Sequence, residues 1–371
     1  MIRYHIIQLQ NEVTLMDRVY NFAPGPSMLP LPVLERVQRE LLCYGDTGMS
    51  VMEMSHRSKM YLEIFEQAKA DFKDVMGVPE GYTVLFLQGG ATAMFAATAM
   101  NLMKGGSADY VDSGNFAHNA LVEAGKYGTV RVAGSSREQN YTRIPDYTLD
   151  PGASYVHITT NNTIYGTRWS ALPDTGSVPL VADMSSNILS EVYDVSRFGL
   201  IYAGAQKNVA PAGLVIVVVR DDLLGHALPI TPKVMDFRIM AEKDSMLNTP
   251  NCFGIYVAGL VFQWIRGQGG VAALEKVNIE KAALLYSFLD ESRLFHGTAE
   301  RRDRSRMNVT FVTGDPDTDA RFVKEAAAHG LVNVKGHRIV GGMRASIYNA
   351  MPIEGVRALV DFMKDFEAKN K

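Results

Sequence analysis

The stretch IYAGAQKNVAPAGLVIVVVR, residues 201–220, sets one lysine, Lys207, among Ala, Gly and Gln between two runs that read as buried strands. Lysine is rarely buried without a partner, and residues 197–206 offer no carboxylate to pair with it. The aliphatic run at 214–219 has strand length and falls well short of the roughly 18 apolar residues of a membrane span. Continuous apolar strands of this kind belong to sheets covered on both faces. An amine at the end of such a strand asks for a chemical reason.

The same pattern extends upstream. Short β-rich runs at 83–87, 108–111, 155–159, 179–183 and 199–203 alternate with longer helical patterns such as QGGATAMFAATAMNLM and DSGNFAHNALVEAGKYG. The alternation predicts an α/β fold with a mostly parallel central sheet flanked by helices. Residues 59–76 set Ile64, Ala68, Phe72 and Met76 at helical spacing, and Gly77 then Pro79 end the pattern. Near the C-terminus Val356, Leu359, Val360, Met363 and Phe366 share one helical face, which predicts a helix closing a smaller α+β domain. The glycine-rich RGQGG at 266–270 is the predicted break. The expected organisation is an N-terminal segment (1–30), a large domain (31–268) and a small C-terminal domain (269–371).

The formal net charge of -3, from 37 basic and 40 acidic residues, gives no global attraction to nucleic acid or membrane. Any anion site must be local. Cys43 and Cys252 form no CxxC, so neither a disulfide framework nor a metal site is expected, which fits a reducing cytoplasm. The N-terminus holds Arg3 but only a short apolar run broken by Gln and Asn, unlike a secretory signal. The sequons at Asn161 and Asn308 are accordingly expected to be chance matches.

In an open parallel sheet, ligands bind beyond the carboxyl ends of the strands. After 83–87 come Gly89, Gly90 and a helix starting near Ala91, whose free N–H groups make a phosphate cradle. Phe116 follows 108–111, Thr163 follows 155–159, Asp183 ends 179–183, and Lys207 follows 199–203. Singly, each has a plainer reading: a turn, a core ring, a turn hydroxyl, a helix cap, a snorkelling lysine. Jointly they are the parts needed to hold pyridoxal phosphate. A lysine of lowered pKa condenses with an aldehyde. A carboxylate keeps the pyridine nitrogen protonated, so that the ring draws electrons from Cα. A helix N-terminus takes the phosphate dianion.

With these residues in place, the chain resembles the phosphoserine aminotransferases, class-V members of the fold-type I enzymes that use pyridoxal 5'-phosphate. Matching stretches run almost from end to end, among them NFAPGPSMLP, GMSVMEMSHRSK, NNTIYG, ADMSSNILS, IYAGAQKN, LNTP and KGHRIVGGMRASIYNAMP. The resemblance implies that Lys207 is the Schiff-base lysine and Asp183 the pyridinium partner. Phe116 would stack on the ring, Thr163 would bond its phenolic oxygen, and Ala91, Thr92 and Gln206 would contact the phosphate. Asn248 and Thr249 would reach that phosphate from the other subunit, which implies a homodimer with shared active sites. Arg344 would clamp the substrate α-carboxylate. His56 and Arg57 of the neighbouring subunit would join His337 and Arg338 around a distal phosphate, a dianion suited by guanidinium forks and imidazoles.

The implied reaction is reversible transamination of 3-phosphohydroxypyruvate with L-glutamate, giving O-phospho-L-serine and 2-oxoglutarate in serine biosynthesis. The alternative is another fold-type I enzyme, including one acting on a phosphorylated hydroxythreonine in vitamin B6 synthesis. A desulfurase needs a mobile cysteine, and neither Cys43 nor Cys252 lies on an evident flexible loop. A nucleotide-binding dehydrogenase lacks its glycine fingerprint here and leaves Lys207 unexplained. The chain also departs from its relatives. Phe116 stands where bacterial members carry Trp, the cradle lacks an Arg that some members place there, and Met16 makes a more typical start than Met1.

Overall fold

The computed structural model describes residues 18–370; the expectations for residues 1–15 and for Met16 lie outside them. The described chain opens with β1 (Tyr20–Asn21), α1 (Leu31–Glu40) and α2 (Lys59–Met76). The strands β2 (Tyr82–Leu87), β3 (Ser107–Asp112), β4 (Thr129–Ser135) and β5 (Val156–Thr159) follow, with α3 (Gly90–Leu102) and α4 (Asn115–Ala124) among them. A short ribbon, β6 (Asn161–Asn162) and β7 (Thr167–Arg168), precedes β8 (Leu180–Asp183), β9 (Leu200–Gly204) and β10 (Val215–Arg220).

These strands build a seven-stranded sheet in the order β2-β10-β9-β8-β5-β3-β4. All neighbours are parallel except β10, which runs antiparallel to both β2 and β9. The residues at 205–214 that join β9 to β10 are too few for a crossover helix, so the chain must turn back. The run at 214–219, expected as part of a mostly parallel sheet, is thus the strand that departs from it. The sequence reading also passed over β4. It is an edge strand in which Thr129, Val132 and Ser135 are exposed, and it lacks the continuous apolar run of the central strands.

Alternation along the strands divides the sheet's two faces. Val84, Phe86, Ile201, Ala203, Ile216 and Val218 pack in one core with α2 and α6 (Cys252–Gly267). Leu85, Leu87, Leu200, Val215 and Val217 pack in the other with α3 and the short α5 (Phe237–Glu242). Helix α2 spans the expected residues: Ser58 caps its first turn by accepting from Tyr61 N at 3.3 Å, and Gly77 at φ 66° ends it.

The RGQGG break falls between α6 and α7 (Val271–Glu291). A third core lies beyond it. It joins α7, α8 (Pro316–Ala328), α9 (Ile353–Lys369) and the antiparallel sheet β11-β12-β14 (His296–Gly297, Asn308–Val312, Met343–Ser346). All five apolar residues predicted for the last helix are buried there. Phe22 and Met28 enter the same core, and β1 pairs in parallel with β13 (Leu331–Val332). The early chain thus packs against the late one. Asn161 and Asn308, the two sequons, are both buried, and Asn161 Nδ2 donates to Asn308 Oδ1 at 2.8 Å.

Candidate active site

The carboxyl ends of β2, β5, β8 and β9 open on a cavity of about 240 Å³. Lys207, three residues beyond β9, extends into it. Its Nζ donates to Thr163 Oγ1 at 2.8 Å and lies 5.5 Å from the centre of the Phe116 ring. Its backbone is tied down by Ser27 Oγ, which donates to the Lys207 carbonyl. Gly25 leaves its stem room, since a Cβ there would stand 3.1 Å from Lys207 Cγ. Burial lowers the Lys207 pKa to about 8; the Asp183 charge opposes that shift and the Arg344 charge adds to it.

Asp183 ends β8 and is buried. Burial raises its pKa, while Ser185 and the Lys207 charge pull it back. Its Oδ1 accepts from Ser185 N at 2.8 Å, an Asx turn rather than the helix cap of the plainer reading, because residues 184–190 form turns and no helix. Ser185 was passed over in the sequence. Its hydroxyl accepts from Gly204 N at 3.1 Å and so joins the ends of β8 and β9.

Helix α3 starts at Gly90 with no side-chain cap, and Ala91 and Thr92 line the cavity. Its first N–H groups are the unsatisfied donors of a helix N-terminus. Gln206 faces them across Gly204, where a Cβ would meet Gln206 Oε1 at 2.9 Å and stand 3.6 Å from Ala91 N. Glycine keeps that space open beside the helix N-terminus.

Arg344 comes from the small sheet, on β14 opposite Thr310. It is only 4% exposed. One Nη donates to Thr163 O at 3.2 Å, while Nε is buried with no partner. A buried guanidinium with a free N–H lining a cavity fits a carboxylate. Thr163 therefore touches both Lys207 and Arg344.

His337 lines this cavity and a neighbouring one of about 710 Å³, which shares Ile164 and Arg344 with it. Burial, then Arg344 and Arg338, lowers the His337 pKa. The far wall of the larger cavity carries His118, Arg137 and Tyr141, which the sequence reading did not single out. Their signal was weak: Tyr141 is held by the buried Asp112, to which its hydroxyl donates at 3.1 Å, and nothing in the local sequence marks that pair.

Five expected site residues do not line the smaller cavity in the single chain: His56, Arg57, Arg338, Asn248 and Thr249. Arg338 faces a groove on the other side of His337. Asn248 and Thr249 are exposed beside the cradle loop, where Gln88 Nε2 donates to Thr249 O at 3.0 Å. His56 is half-buried and Arg57 exposed.

The arrangement is that of an aminotransferase of class V, and a family model described as aminotransferase class-V matches residues 19–359. A phosphoserine aminotransferase of Listeria monocytogenes serotype 4b is 54% identical over 359 residues, covering 96% of this chain and 98% of its own. A solved phosphoserine aminotransferase from Bacillus circulans subsp. alkalophilus superimposes with a TM-score of 0.94 at 44% identity, covering 96% of this chain and 100% of its own. A PLP-bound phosphoserine aminotransferase from Trichomonas vaginalis gives 0.91 at 37% identity, covering 94% of this chain and 100% of its own. With identity of this extent, the chain belongs to the phosphoserine aminotransferase family.

Proposed function

We propose that this aminotransferase transfers the amino group of L-glutamate to 3-phosphohydroxypyruvate, with pyridoxal 5'-phosphate as cofactor, releasing O-phospho-L-serine and 2-oxoglutarate. The observation that carries the reading is the convergence, on one 240 Å³ cavity, of an amine, a buried carboxylate, an uncapped helix N-terminus and a guanidinium with a free N–H. The residues present fit the cofactor. Lys207 would hold it, Asp183 would face its ring nitrogen, Phe116 its ring, and Ala91, Thr92 and Gln206 its phosphate. When bound, it supplies a carbonyl carbon that takes up the donor amine and a ring that stabilises negative charge at the substrate Cα.

The chain's own groups do the rest. Arg344 grips the α-carboxylate and so orients the Cα–H bond. Lys207, with a pKa lowered to about 8, would take the Cα proton as a neutral amine and, as an ammonium, give it back to the carbon on the other side of the transferred nitrogen. Asp183, whose pKa burial raises while Ser185 and the Lys207 charge pull it back, would face the ring nitrogen and favour its protonated form. His337 and Arg338 are the groups of this chain offered to a distal phosphate. His56 and Arg57, together with Asn248 and Thr249, lie off the cavity of their own chain and serve the site of a second copy in a homodimer. The same reading divides the chain at 30 and at 268 and places the enzyme in the cytoplasm, in keeping with two free cysteines.

The test is the visible absorbance of the holoenzyme on addition of O-phospho-L-serine or L-serine. Conversion to the pyridoxamine form by the first and scarcely by the second supports cofactor, half-reaction and phosphate selectivity together. Equal response to both would remove the distal phosphate site. A protein that takes up no pyridoxal phosphate would overturn the role of Lys207.

A further inference from the structure

Outside the cavity, the most unusual titratable group is Lys281 on α7. It is 0% exposed, and its Nζ donates to three main-chain carbonyls: Ile347 O at 3.0 Å, Tyr348 O at 2.8 Å and Met351 O at 3.1 Å. An ammonium has three N–H donors, and all are used. Burial pulls its pKa down to about 7, while three converging carbonyl dipoles favour the charged form. Burying a cation is unfavourable unless its hydrogen bonds are made, and a methionine here would leave the three carbonyls without this donor. The side chain therefore does something that an apolar one would not.

Its three acceptors all belong to the turn at 347–351, which directly follows β14 and hence Arg344. That turn reaches the rest of the site. Asn349 N donates to Asn208 Oδ1 at 3.0 Å, next to Lys207, and Asn349 Nδ2 donates to Leu189 O at 2.8 Å, beyond Asp183. Tyr348 Oη donates at 2.8 Å to the carbonyl of Pro24, a residue of the cavity wall. One helical turn before Lys281, the buried Asn278 donates through Nδ2 to Asn349 Oδ1 and to Ser190 O, both at 2.9 Å.

We infer that Lys281 and Asn278 are positioning residues: from the buried face of α7 they lock the 347–351 turn and so set where Arg344 stands relative to Lys207. Neither touches substrate. The inference rests on the proposed role of Arg344 as the α-carboxylate clamp. Both amino-acid substrates carry that carboxylate, so loosening the turn weakens both by one common factor. It leaves the distal-group selectivity alone.

The experiment titrates holoenzymes of the wild type, Lys281→Met and Asn278→Ala with L-glutamate and with O-phospho-L-serine, following the cofactor absorbance. In Lys281→Met the half-saturating concentration of both amino acids rises by the same factor, about tenfold, within the roughly 10²-fold that a misplacement of about 1 Å can cost. The absorbance maximum before addition stays where it was. A purely structural role would lower Tm and leave both constants at the wild-type values in the folded, cofactor-loaded variant, and that result overturns the inference. So does a loss confined to O-phospho-L-serine. If Lys281→Met does not fold, Asn278→Ala decides by the same criterion, with a smaller common rise of about threefold. A wild-type holoenzyme that responds to neither amino acid would overturn the reaction itself, and the inference with it.

Discussion

Lys207 must be neutral to act as a nucleophile and base, and its surroundings arrange that. Burial dominates, Arg344 adds to it, and Asp183 limits it, so the folded protein holds a pKa of about 8 in place of 10.5. The sign follows directly: below that pH the amine is charged and inert, above it neutral and reactive. Stopped-flow capture of pyridoxal phosphate by the apoenzyme is expected to accelerate as pH rises through about 8 and to level off above it. A profile still rising at pH 10 would contradict the assignment. Lys207→Ala is expected to bind the cofactor by its phosphate and ring contacts yet lose turnover by about 10³-fold or more, the scale of a general acid–base group. Steady-state assay beside equilibrium dialysis separates the two effects. Near-normal turnover would exclude Lys207. The lysine was legible in the sequence because its setting was so apolar. The free Nε of Arg344 was not, since its burial depends on Thr163 and on a sheet far along the chain.

Among the elements, the N-terminus of α3 is the one proposed to hold the cofactor phosphate, uncapped by any side chain and lining the cavity. Gly89 stands before it at φ 99°, and a Cβ there would lie 2.6 Å from the Ala93 Cβ. Left-handed backbone and lack of space both exclude a larger residue. Gly89→Ala is expected to weaken pyridoxal phosphate binding by about tenfold, the equivalent of the 1–3 kcal/mol of a strained backbone residue. Fluorescence titration of the apoenzyme reads this, and unchanged affinity would separate the helix start from the phosphate. The Gly-Gly pair after a strand pointed to this element. The direction of β10 was hidden, because an apolar run reads the same forward and backward, and only the short connection from β9 decides it. The edge strand β4 escaped notice because Arg131 and Gly134 interrupt its apolar residues and three of its seven positions are exposed.

At the scale of the whole molecule, the shared-site proposal has a direct test. Arg57→Ala and Lys207→Ala subunits are each expected to form poor enzymes. Co-expressed, they would form mixed dimers in which one site combines an intact Lys207 with an intact Arg57 of the other copy. Random pairing then restores about a quarter of wild-type activity. Activity no higher than the sum of the two separate variants would mean that Arg57 serves its own chain or no site at all. The single chain is consistent with exchange, in that Arg57, Asn248 and Thr249 are exposed and off the cavity of their own chain.

By itself the sequence determined the α/β class, the helix at 59–76, the apolar face of the last helix from Val356 to Phe366, and a glycine pair, a carboxylate and an amine at the ends of apolar strands. Those features are local: periodicity, a glycine pair and the residue that follows an apolar run are all read within one element. The tertiary structure alone decided that β14 brings Arg344 to Thr163, that Ser185 joins two strand ends, and that Lys281 pins the turn between Arg344 and α9. Each of these depends on burial and on hydrogen bonds between segments far apart in the chain, from 19 residues for Ser185 and Gly204 up to 181 for Arg344 and Thr163. No window of sequence contains both partners, and a polar side chain's partner in the interior is settled only when the interior has formed.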